Sequence, residues 1–425
     1  MMEKVYEVNP LTRVEGEGRV YARMKGDVVE SVKVNIYEPP RFFEAFLLGR
    51  SYKDVPDIVA RICGICPVAY QMSSTHAIEK AFNVEVDPAI EKVRRLLYCG
   101  EWIQSHALHF FLLALPDFFG HQDVFELMKA QPDVVKAGLE VKKAGNSIMA
   151  LIGGRSIHPV SPCVGGFTAL PPAYKFKRLL DQLREAERDV LNVSDWVMGN
   201  VKVPELEHEL ELVSLWDRNE YPMIYGKVAS NSGLRINQED YEKYFDEYQV
   251  EHSTALHSKT KDGKNYIVGP LSRFKLNVDN LYPHAKDYAD VVNDKNVYMQ
   301  NIARFLEMLH ALEEAIDIIE DYKEPSRSRV PVEPKESSGA WITEAPRGML
   351  YHRYSLDAAG RIKLAKIVPP TSQNLANVED NLKALLESRK HEADEELVRL
   401  SGMLVRSYDP CISCSAHTLQ IKIER

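Results

Sequence analysis

Two pairs of cysteines, near opposite ends of the chain, are the residues with the clearest capacity for chemistry. They stand in the segments Arg61-Ile62-Cys63-Gly64-Ile65-Cys66 and Asp409-Pro410-Cys411-Ile412-Ser413-Cys414-Ser415-Ala416-His417. A closely spaced thiolate pair can bind one metal from a single turn, and a second pair completes four sulfur ligands. Gly64 is predicted to leave room for that metal beside the backbone. The two segments are therefore predicted to form halves of one metal site.

The number of cysteines favours metal binding or redox chemistry over disulfide bonds. Six cysteines in 425 residues are too few for a disulfide framework, and four of them fall in the two pairs. Cys99 and Cys163 remain, and we expect them to be buried as small apolar residues. On the pairs alone, a structural zinc site and separate redox thiols both stay open. Zinc sites that hold a small domain together usually have their pairs much closer in sequence.

Charge and hydropathy exclude other classes of function. The formal net charge is -9 at pH 7 and the pI is about 5.9, so there is no basic surface for nucleic acid. No apolar run reaches the roughly 18 residues of a membrane span, and the polar start at 1–4 has no signal region behind it. The chain is predicted to be cytoplasmic, with no membrane span and no nucleic-acid partner.

The elements that must position the cysteines are mainly helices. Apolar residues recur at helical spacing, for example at Leu179, Leu183, Ala186 and Val190. The predicted helical stretches are 73–81, 88–115, 124–151, 174–193, 297–319 and 374–400, the last as one or two helices. The predicted fold class is α+β and predominantly helical, a central helical bundle with small peripheral β-sheets and an active site that joins N- and C-terminal segments.

Short alternating runs predict the sheets. Residues 5–37 are predicted to form a hairpin or small sheet, 348–368 a hairpin, and 323–339 a surface loop. Because the motifs come from both ends, we expect a single domain over 1–425. Its parts are the N-terminal β region 1–60, the helical core 61–220, a mixed insertion 221–285, the helices, hairpin and C-terminal metal motif 286–417, and a maturation tail 418–425.

Both cysteine segments resemble signatures of the large subunit of nickel-iron hydrogenases, RxCGxC and DPCxxCxxH, in the family's order. The resemblance extends to the segments 11–16, 41–44, 104–111, 153–159, 344–348 and 368–371, and so spans nearly the whole chain. Ser105 stands where many membrane-bound uptake enzymes have aspartate. The Gln-Ser-His form around it resembles the cytosolic, bidirectional (group 3-like) branch of the family.

The resemblance implies a nickel-iron centre. Cys63, Cys66, Cys411 and Cys414 would ligate nickel, and Cys66 and Cys414 would bridge to an iron that carries carbon monoxide and two cyanides. Soft thiolates suit both metals and leave a coordination position open. The centre would therefore be catalytic.

A second metal is implied close to the C-terminus. Glu44, the main-chain carbonyl near Ile367, and His417 resemble the ligands of a separate magnesium or iron. In the family, a maturation protease removes the residues beyond the last histidine after nickel insertion. We therefore expect cleavage after His417 and loss of 418–425.

Three further residues resemble parts of the catalytic machinery. Arg347 would approach the iron ligands and the open site as a fixed cation in a dry pocket, and Thr371 would donate a hydrogen bond to one cyanide. Glu15 resembles the family's proton gate next to Cys411. The implied reaction is reversible heterolytic cleavage of dihydrogen, in which Arg347 polarises dihydrogen and Cys411 passes the proton to Glu15.

The electrons must leave through a partner. No spare cysteine cluster could hold an iron-sulfur centre, so an iron-sulfur small subunit is required, and segments near His106, His109 and His158 are expected to face it. Flavin and iron-sulfur subunits of the diaphorase type would carry the electrons onward. NAD(P), ferredoxin, deazaflavin and heterodisulfide acceptors stay open.

One position departs from the family's pattern, and related non-hydrogenases remain an alternative. The first motif often continues to a histidine four residues after its second cysteine, and this chain has Tyr70 there. That change affects a hydrogen bond near the centre, not the metal ligands. The large subunit of proton-pumping quinone reductases shares the fold but lacks the four cysteines. Their presence here favours a hydrogenase over a structural or quinone-reductase-related subunit.

Overall fold

The computed structural model describes residues 3–26 and 28–416, which form a mainly helical fold with small antiparallel sheets, as predicted. The helices are α1 (Phe43–Leu47), α2 (Val55–Val59), α3 (Pro67–Phe82), α4 (Pro88–Ala107), α5 (Leu115–Phe118), α6 (Val124–Ala130), α7 (Pro132–Gly153), α8 (Tyr174–Asn200), α9 (Tyr241–Tyr244), α10 (Pro270–Asn277), α11 (Pro283–Lys286), α12 (Gln300–Glu320), α13 (Pro370–Ser388), α14 (Asp394–Ser407) and α15 (Ile412–Ser415). A π-helical segment, Leu108–Ala114, connects α4 to α5. Short 3-10 turns cover Ala60–Ile62, Gln238–Asp240, Val278–Asn280, Ala289–Val291 and Val297–Met299.

The strands form five small antiparallel sheets within the described residues. They are β1 (Glu3–Val8), β2 (Gly18–Lys25), β3 (Val28–Ile36), β4 (Pro162–Cys163), β5 (Gly166–Phe167), β6 (Val213–Trp216), β7 (Lys227–Ser230), β8 (Arg235–Ile236), β9 (Phe245–Tyr248), β10 (His257–Thr260), β11 (Ser337–Ala345), β12 (Gly348–Leu356) and β13 (Ile362–Val368). The sheets β1-β2-β3 and β11-β12-β13 contain the predicted hairpins.

Helix α4 is the central helix of the bundle. It packs against α7 on one side and α12 on the other, and α8 packs against both α7 and α12. Pro88 occupies its first turn, and the Asp87 side chain caps it by accepting from the Ala89 amide at 2.9 Å. Gly100 and Gly145 let α4 and α7 approach closely, since a Cβ at Gly100 would lie 2.8 Å from Ile148 Cβ. Residues 96–107 of α4 are all buried, whereas its first turns are partly exposed.

Two predicted stretches differ in the structure. The stretch 124–151 is two helices, because Pro132 begins α7 after a break at Gln131. The stretch 374–400, predicted as one or two helices, is two, α13 and α14. The predicted loop 323–339 ends in the first residues of β11, whose apolar positions are buried against α3. Packing against α3 is the reason that the end of this predicted loop is a strand.

The two ends of the chain lie side by side. Asp117 accepts from Arg13 at 2.5 Å and from Arg406 at 2.6 Å, which ties the N-terminal segment to α14. Cys99 is buried as predicted, whereas Cys163 is only half-buried in the short strand β4, which corrects that expectation. Within the described ranges, no helix is both long and apolar enough to cross a bilayer.

Candidate metal centre

The four paired cysteines converge on one buried point. Cys63 Sγ lies 2.8 Å from Cys66 Sγ and 3.7 Å from Cys411 Sγ, and Cys411 Sγ lies 2.8 Å from Cys414 Sγ. All four are buried, and none of them forms a disulfide. The sulfurs of Cys63, Cys411 and Cys414 lie within 4.8 Å of one another, close enough to bind one metal ion together, and Cys66 Sγ adjoins them through Cys63. The structure thus unites the two pairs as the sequence predicts.

Helix α4 holds the first pair at the start of α3. Cys66 is the residue before α3, and the fully buried Glu101 of α4 accepts from two of the first amides of α3, at 2.5 and 3.0 Å. One turn further along α4, Gln104 donates to the Ile65 carbonyl at 2.6 Å. A carboxylate at a helix N-terminus is stabilised by free amides and the helix dipole. Glu101 was not predicted; its charge within an apolar stretch was the available signal.

The second pair is held by the N-terminal segment. Glu15 and Cys411 form a parallel bridge, in which the Ile412 amide donates to the Glu15 carbonyl at 2.9 Å. Gly16 has φ +88°, and a Cβ there would lie 2.6 Å from Ile412 Cβ, so only glycine allows this approach. As a result, Glu15 Oε2 lies 3.1 Å from Cys411 Sγ and accepts from the Ser413 amide at 3.0 Å.

Arg41 links the two pairs. Its guanidinium donates to the Ile62 carbonyl at 2.7 Å, directly before the first pair, and also to the Ser413 carbonyl in the second. Its main-chain amide donates to the Ala416 carbonyl at 3.0 Å. Sequence reasoning gave Arg41 no role of its own, and its position beside Glu44 was the only signal.

Arg347 lies buried beside the thiols. Its Nε donates to the Asp409 carbonyl at 2.7 Å, one terminal nitrogen to the Asp409 carboxylate at 3.1 Å, and the other lies 3.8 Å from Cys66 Sγ. Asp409 has φ 51°, a left-handed conformation that these bonds hold. Burial alone would raise the pKa of the Asp409 carboxyl, but Arg347 lowers it below its ordinary value. The pair therefore stays ionised.

Two other predicted roles remain predictions, although the structure places their residues at the site. The Thr371 hydroxyl accepts from the Cys411 amide at 3.0 Å, which leaves its hydrogen available to donate. Glu44 Oε1 accepts from the Ile367 amide at 2.7 Å, so the two residues lie side by side, but the predicted ligand atom of Ile367 is its carbonyl oxygen. The third, His417, lies outside the described residues.

A row of polar groups leads away from Cys411. Ser413 binds Glu15 through its amide and donates its hydroxyl to Glu38 Oε1 at 2.6 Å. Glu38 is half-buried, and its other oxygen lies 3.4 Å from the amide of the exposed Glu17. The row therefore runs from a buried thiol towards solvent. Sequence reasoning missed Ser413 and Glu38, because neither stands out until the two termini meet.

Residues 41–137 and 237–417, which include all four paired cysteines, match the family described as nickel-dependent hydrogenase. The chain belongs to the nickel-dependent hydrogenases. It is 34% identical over 421 residues to the alpha subunit of sulfhydrogenase 1 of Pyrococcus furiosus (97% of this chain, 98% of that subunit). It is 35% identical over 427 residues to the alpha subunit of sulfhydrogenase 2 of the same organism (98% and 100%).

The fold is similar to that of a hydrogenase of known structure. A crystal structure of an NAD+-reducing nickel-iron hydrogenase in its H2-reduced state superposes with a TM-score of 0.86 at 25% identity, covering 97% of this chain and 99% of that one. Together with the cysteine quartet, these matches identify the chain as the catalytic large subunit of a nickel-iron hydrogenase.

The residues of this hydrogenase fit a nickel-iron centre. Burial raises the pKa of the Cys411 thiol and the neighbouring sulfurs raise it further, because several thiolates together in a buried site repel one another without a cation between them. The buried Tyr70 hydroxyl has no hydrogen-bond partner in the part of the chain that the structure describes. Burial, followed by the charge of the Cys414 sulfur, raises the Tyr70 pKa, so its hydroxyl remains a donor. Metal-bound acceptor groups would satisfy this donor.

Two expectations about this hydrogenase site stay predictions. Gly64 is exposed and a Cβ there would meet nothing within 4 Å, so there is open space beside its backbone, as expected, but nothing shows that a metal needs it. The side chains of His106 and His109 are buried, whereas His158 is half-buried, so the expectation that segments near these three histidines face a partner stays a prediction. His106 Nε2 lies 3.1 Å from Glu307, and His109 Nε2 donates to the Arg406 carbonyl at 2.7 Å.

Proposed function

We propose that this hydrogenase subunit catalyses the reversible heterolytic cleavage of dihydrogen, and that its electrons pass through an iron-sulfur subunit to NAD(P), ferredoxin or a similar acceptor in the cytoplasm. The contact of 3.1 Å between Cys411 Sγ and Glu15 Oε2, within a buried quartet of thiols, supports this most directly. When bound, nickel and iron, the latter with carbon monoxide and two cyanides, supply the open coordination position at which dihydrogen reacts.

The chain's own residues provide a route for the proton. The Cys411 thiolate takes the proton released by dihydrogen, and Glu15 lies within hydrogen-bonding distance to receive it. Ser413 donates its amide to Glu15 at 3.0 Å and its hydroxyl to Glu38 at 2.6 Å, and so places both carboxyls around one residue. The 3.1 Å between Cys411 Sγ and Glu15 Oε2 lies within the heavy-atom range of about 2.6–3.2 Å over which general acids and bases act.

The remaining donors stabilise charge at the site. Arg347, oriented by Asp409, directs a cation at the sulfurs in a pocket from which water is excluded. Thr371 holds Cys411 through its amide and keeps a hydroxyl hydrogen for a bound cyanide. Glu44 and the Ile367 carbonyl, with His417, would hold the magnesium or second iron as oxygen and nitrogen ligands.

Electron exit requires other subunits. Cys99 is buried with its Sγ 3.6 Å from Glu314, and Cys163 stands alone, so the described residues hold no further thiol cluster for an iron-sulfur centre. The matched relatives are themselves named as subunits, and one structural neighbour is an NAD+-reducing enzyme. An iron-sulfur small subunit with flavin-containing, diaphorase-type partners is the assembly we infer.

Purification of the native complex tests the proposal. Nickel and iron should be present with one nickel per large subunit, infrared spectra should show metal carbonyl and cyanide bands, and dihydrogen should reduce NAD+, NADP+ or ferredoxin. Parallel assays of these three acceptors would identify the physiological one. A complex that contains only zinc in this subunit, or that lacks dihydrogen uptake with full nickel loading, would contradict the proposal.

Cysteine variants separate metal ligation from general damage. Cys411→Ser should abolish dihydrogen uptake because it removes both a nickel ligand and the proton acceptor. Cys163→Ser is the matched control, since this half-buried thiol lies outside the quartet. Equal activity in the Cys411→Ser variant and the wild type would show that the quartet is not the reaction site.

A further inference from the structure

A second group of metal-ligand side chains lies away from the cysteine quartet. It consists of His252 in the loop between β9 and β10, His257 at the start of β10, and Glu379 on α13. One ligand atom from each lies within 4.8 Å of the others. His252 Nε2 is 2.7 Å from Glu379 Oε1, and His257 Nε2 is 3.6 Å from the same oxygen. None of these residues belongs to the hydrogenase site described above.

The state of His257 points to a missing ligand. Its side chain is 1% exposed, yet neither ring nitrogen has a hydrogen-bond partner among the described residues. A buried imidazole without partners is costly, and such groups in native proteins usually mark an absent water or ion. The ring is directed at the Glu379 carboxylate, so a metal between them would give Nε2 its partner.

No basic side chain takes the place of a cation here. In the part of the chain that the structure describes, Glu379 pairs with the two histidines and accepts from the Val34 amide at 2.8 Å, and it forms no salt bridge with lysine or arginine. His252 and Glu379 are each 19% exposed, so the group can be reached from solvent. These conditions suit a bound cation with an exchangeable position.

A similar group elsewhere in the chain shows the contrast. His76, Glu79 and Glu91 also bring their ligand atoms within 4.8 Å of one another. There, however, Arg94 binds Glu79 at 2.6 Å and Glu91 at 2.8 Å, and His76 Nδ1 donates to the Met72 carbonyl at 2.8 Å. In that group an arginine already pairs with both carboxylates and the histidine is hydrogen-bonded, so the place of a metal ion is taken by a side chain.

We propose that His252, His257 and Glu379 form a binding site for a divalent transition metal such as zinc, with water as a further ligand. Two imidazoles and one carboxylate are a donor set for zinc and related first-row ions, and bonds of about 2.0–2.2 Å would need only small side-chain rotations here. The metal would fasten the β9–β10 loop to α13 and to β3, whose Val34 amide already binds Glu379. Its role is structural, separate from the nickel-iron centre.

Zinc uptake by the intact hydrogenase complex tests this site. After dialysis against a chelator, the wild type should take up one more zinc per large subunit than His257→Asn or His252→Asn, whose zinc affinity should fall by more than about 100-fold. The control variant His76→Asn should match the wild type. Nickel and iron contents should not differ among the four proteins, since the cysteine quartet is unchanged in all of them.

X-ray absorption at the zinc edge provides the second measurement. Zinc-loaded wild type should show two imidazole nitrogens and oxygen ligands. The His252→Asn variant should not bind zinc at this site. Because His252 is partly exposed, this variant tests the site even if His257→Asn folds poorly. Equal zinc uptake by the wild type and His252→Asn, or a zinc shell made of sulfur, would show that these residues form only a histidine–carboxylate hydrogen bond.

Discussion

Glu15 lies beside Cys411, where its carboxyl could accept and release a proton without binding a metal. Its carboxylate contacts Cys411 Sγ at 3.1 Å and the Ser413 amide at 3.0 Å. Glutamine at this position keeps an oxygen for the amide but cannot release a proton. The local structure should therefore survive the change while proton transfer does not.

Glu15→Gln should leave nickel content unchanged and lower the rate of dihydrogen–deuterium exchange by about 100-fold or more, the usual contribution of a general acid–base group. Isotope exchange followed by mass spectrometry checks this. Glu17→Gln, an exposed neighbour, should exchange at the wild-type rate. Normal exchange in the Glu15 variant would show that the proton leaves by another route.

The buried hydroxyl of Tyr70 has no hydrogen-bond partner among the described residues. Tyr70→Phe should raise the free energy of unfolding of the metal-free chain by about 1 kcal/mol, since an unpaired buried hydroxyl is removed. In the loaded enzyme it should shift the carbonyl and cyanide infrared bands. Tyr98→Phe is the control: its hydroxyl donates to Thr343 at 2.9 Å, so its loss should destabilise the chain and leave the bands unchanged.

If the infrared bands of Tyr70→Phe and the wild type coincide, the Tyr70 hydroxyl does not contact the metal-bound groups. The protein would then carry an unpaired buried hydroxyl at that position in the loaded state as well.

At the scale of elements, the N-terminal segment is what completes the second cysteine pair. Gly16 has φ +88°, and the Cβ of Gly16→Ala would lie 2.6 Å from Ile412 Cβ. Gly49 has a similar φ of +75°, but the Cβ of Gly49→Ala would meet no atom within 4 Å. We expect Gly16→Ala to destabilise the chain by about 2 kcal/mol or more and to lower nickel occupancy, and Gly49→Ala to cost only the backbone strain of about 1 kcal/mol. Urea unfolding and nickel analysis of both variants measure this, and equal losses would contradict the close packing at Ile412.

Helix α4 gives the fold a sensitivity to acid. Burial lowers the pKa of His106 from 6.5 to about 4, despite the nearby Glu307. Below pH 6.5 the unfolded chain binds a proton that the folded chain does not accept until about pH 4, so stability present at neutral pH is lost as the pH falls. Between pH 7 and pH 4, the free energy of unfolding of His106→Gln should therefore fall by up to about 3 kcal/mol less than that of the wild type. Denaturation curves across this range check it, and parallel pH profiles would contradict it.

At the scale of the whole molecule, the last described residues, 411–416, belong to the active site, so the expected processing of the tail would take place next to it. A main-chain hydrogen bond from Arg41 to Ala416 places the end of the described chain beside the first cysteine pair. We predict that the maturation protease cleaves after His417 and that intact-mass measurement of active enzyme finds residues 418–425 absent. A fully active protein whose mass still includes them would refute this prediction.

The sequence by itself determined that the two cysteine pairs belong to one site, the helical class and the two hairpins, because cysteine motifs and apolar periodicity can be read along the chain. Only the tertiary structure decided which groups surround the quartet. Glu101, Arg41 and Glu38 are ordinary charged residues in the sequence, and they acquire a role when α4, the N-terminal segment and the C-terminal turn meet. The burial of His106 and the exposure of Gly64 were likewise set by packing, since neither can be read from its neighbours in the chain.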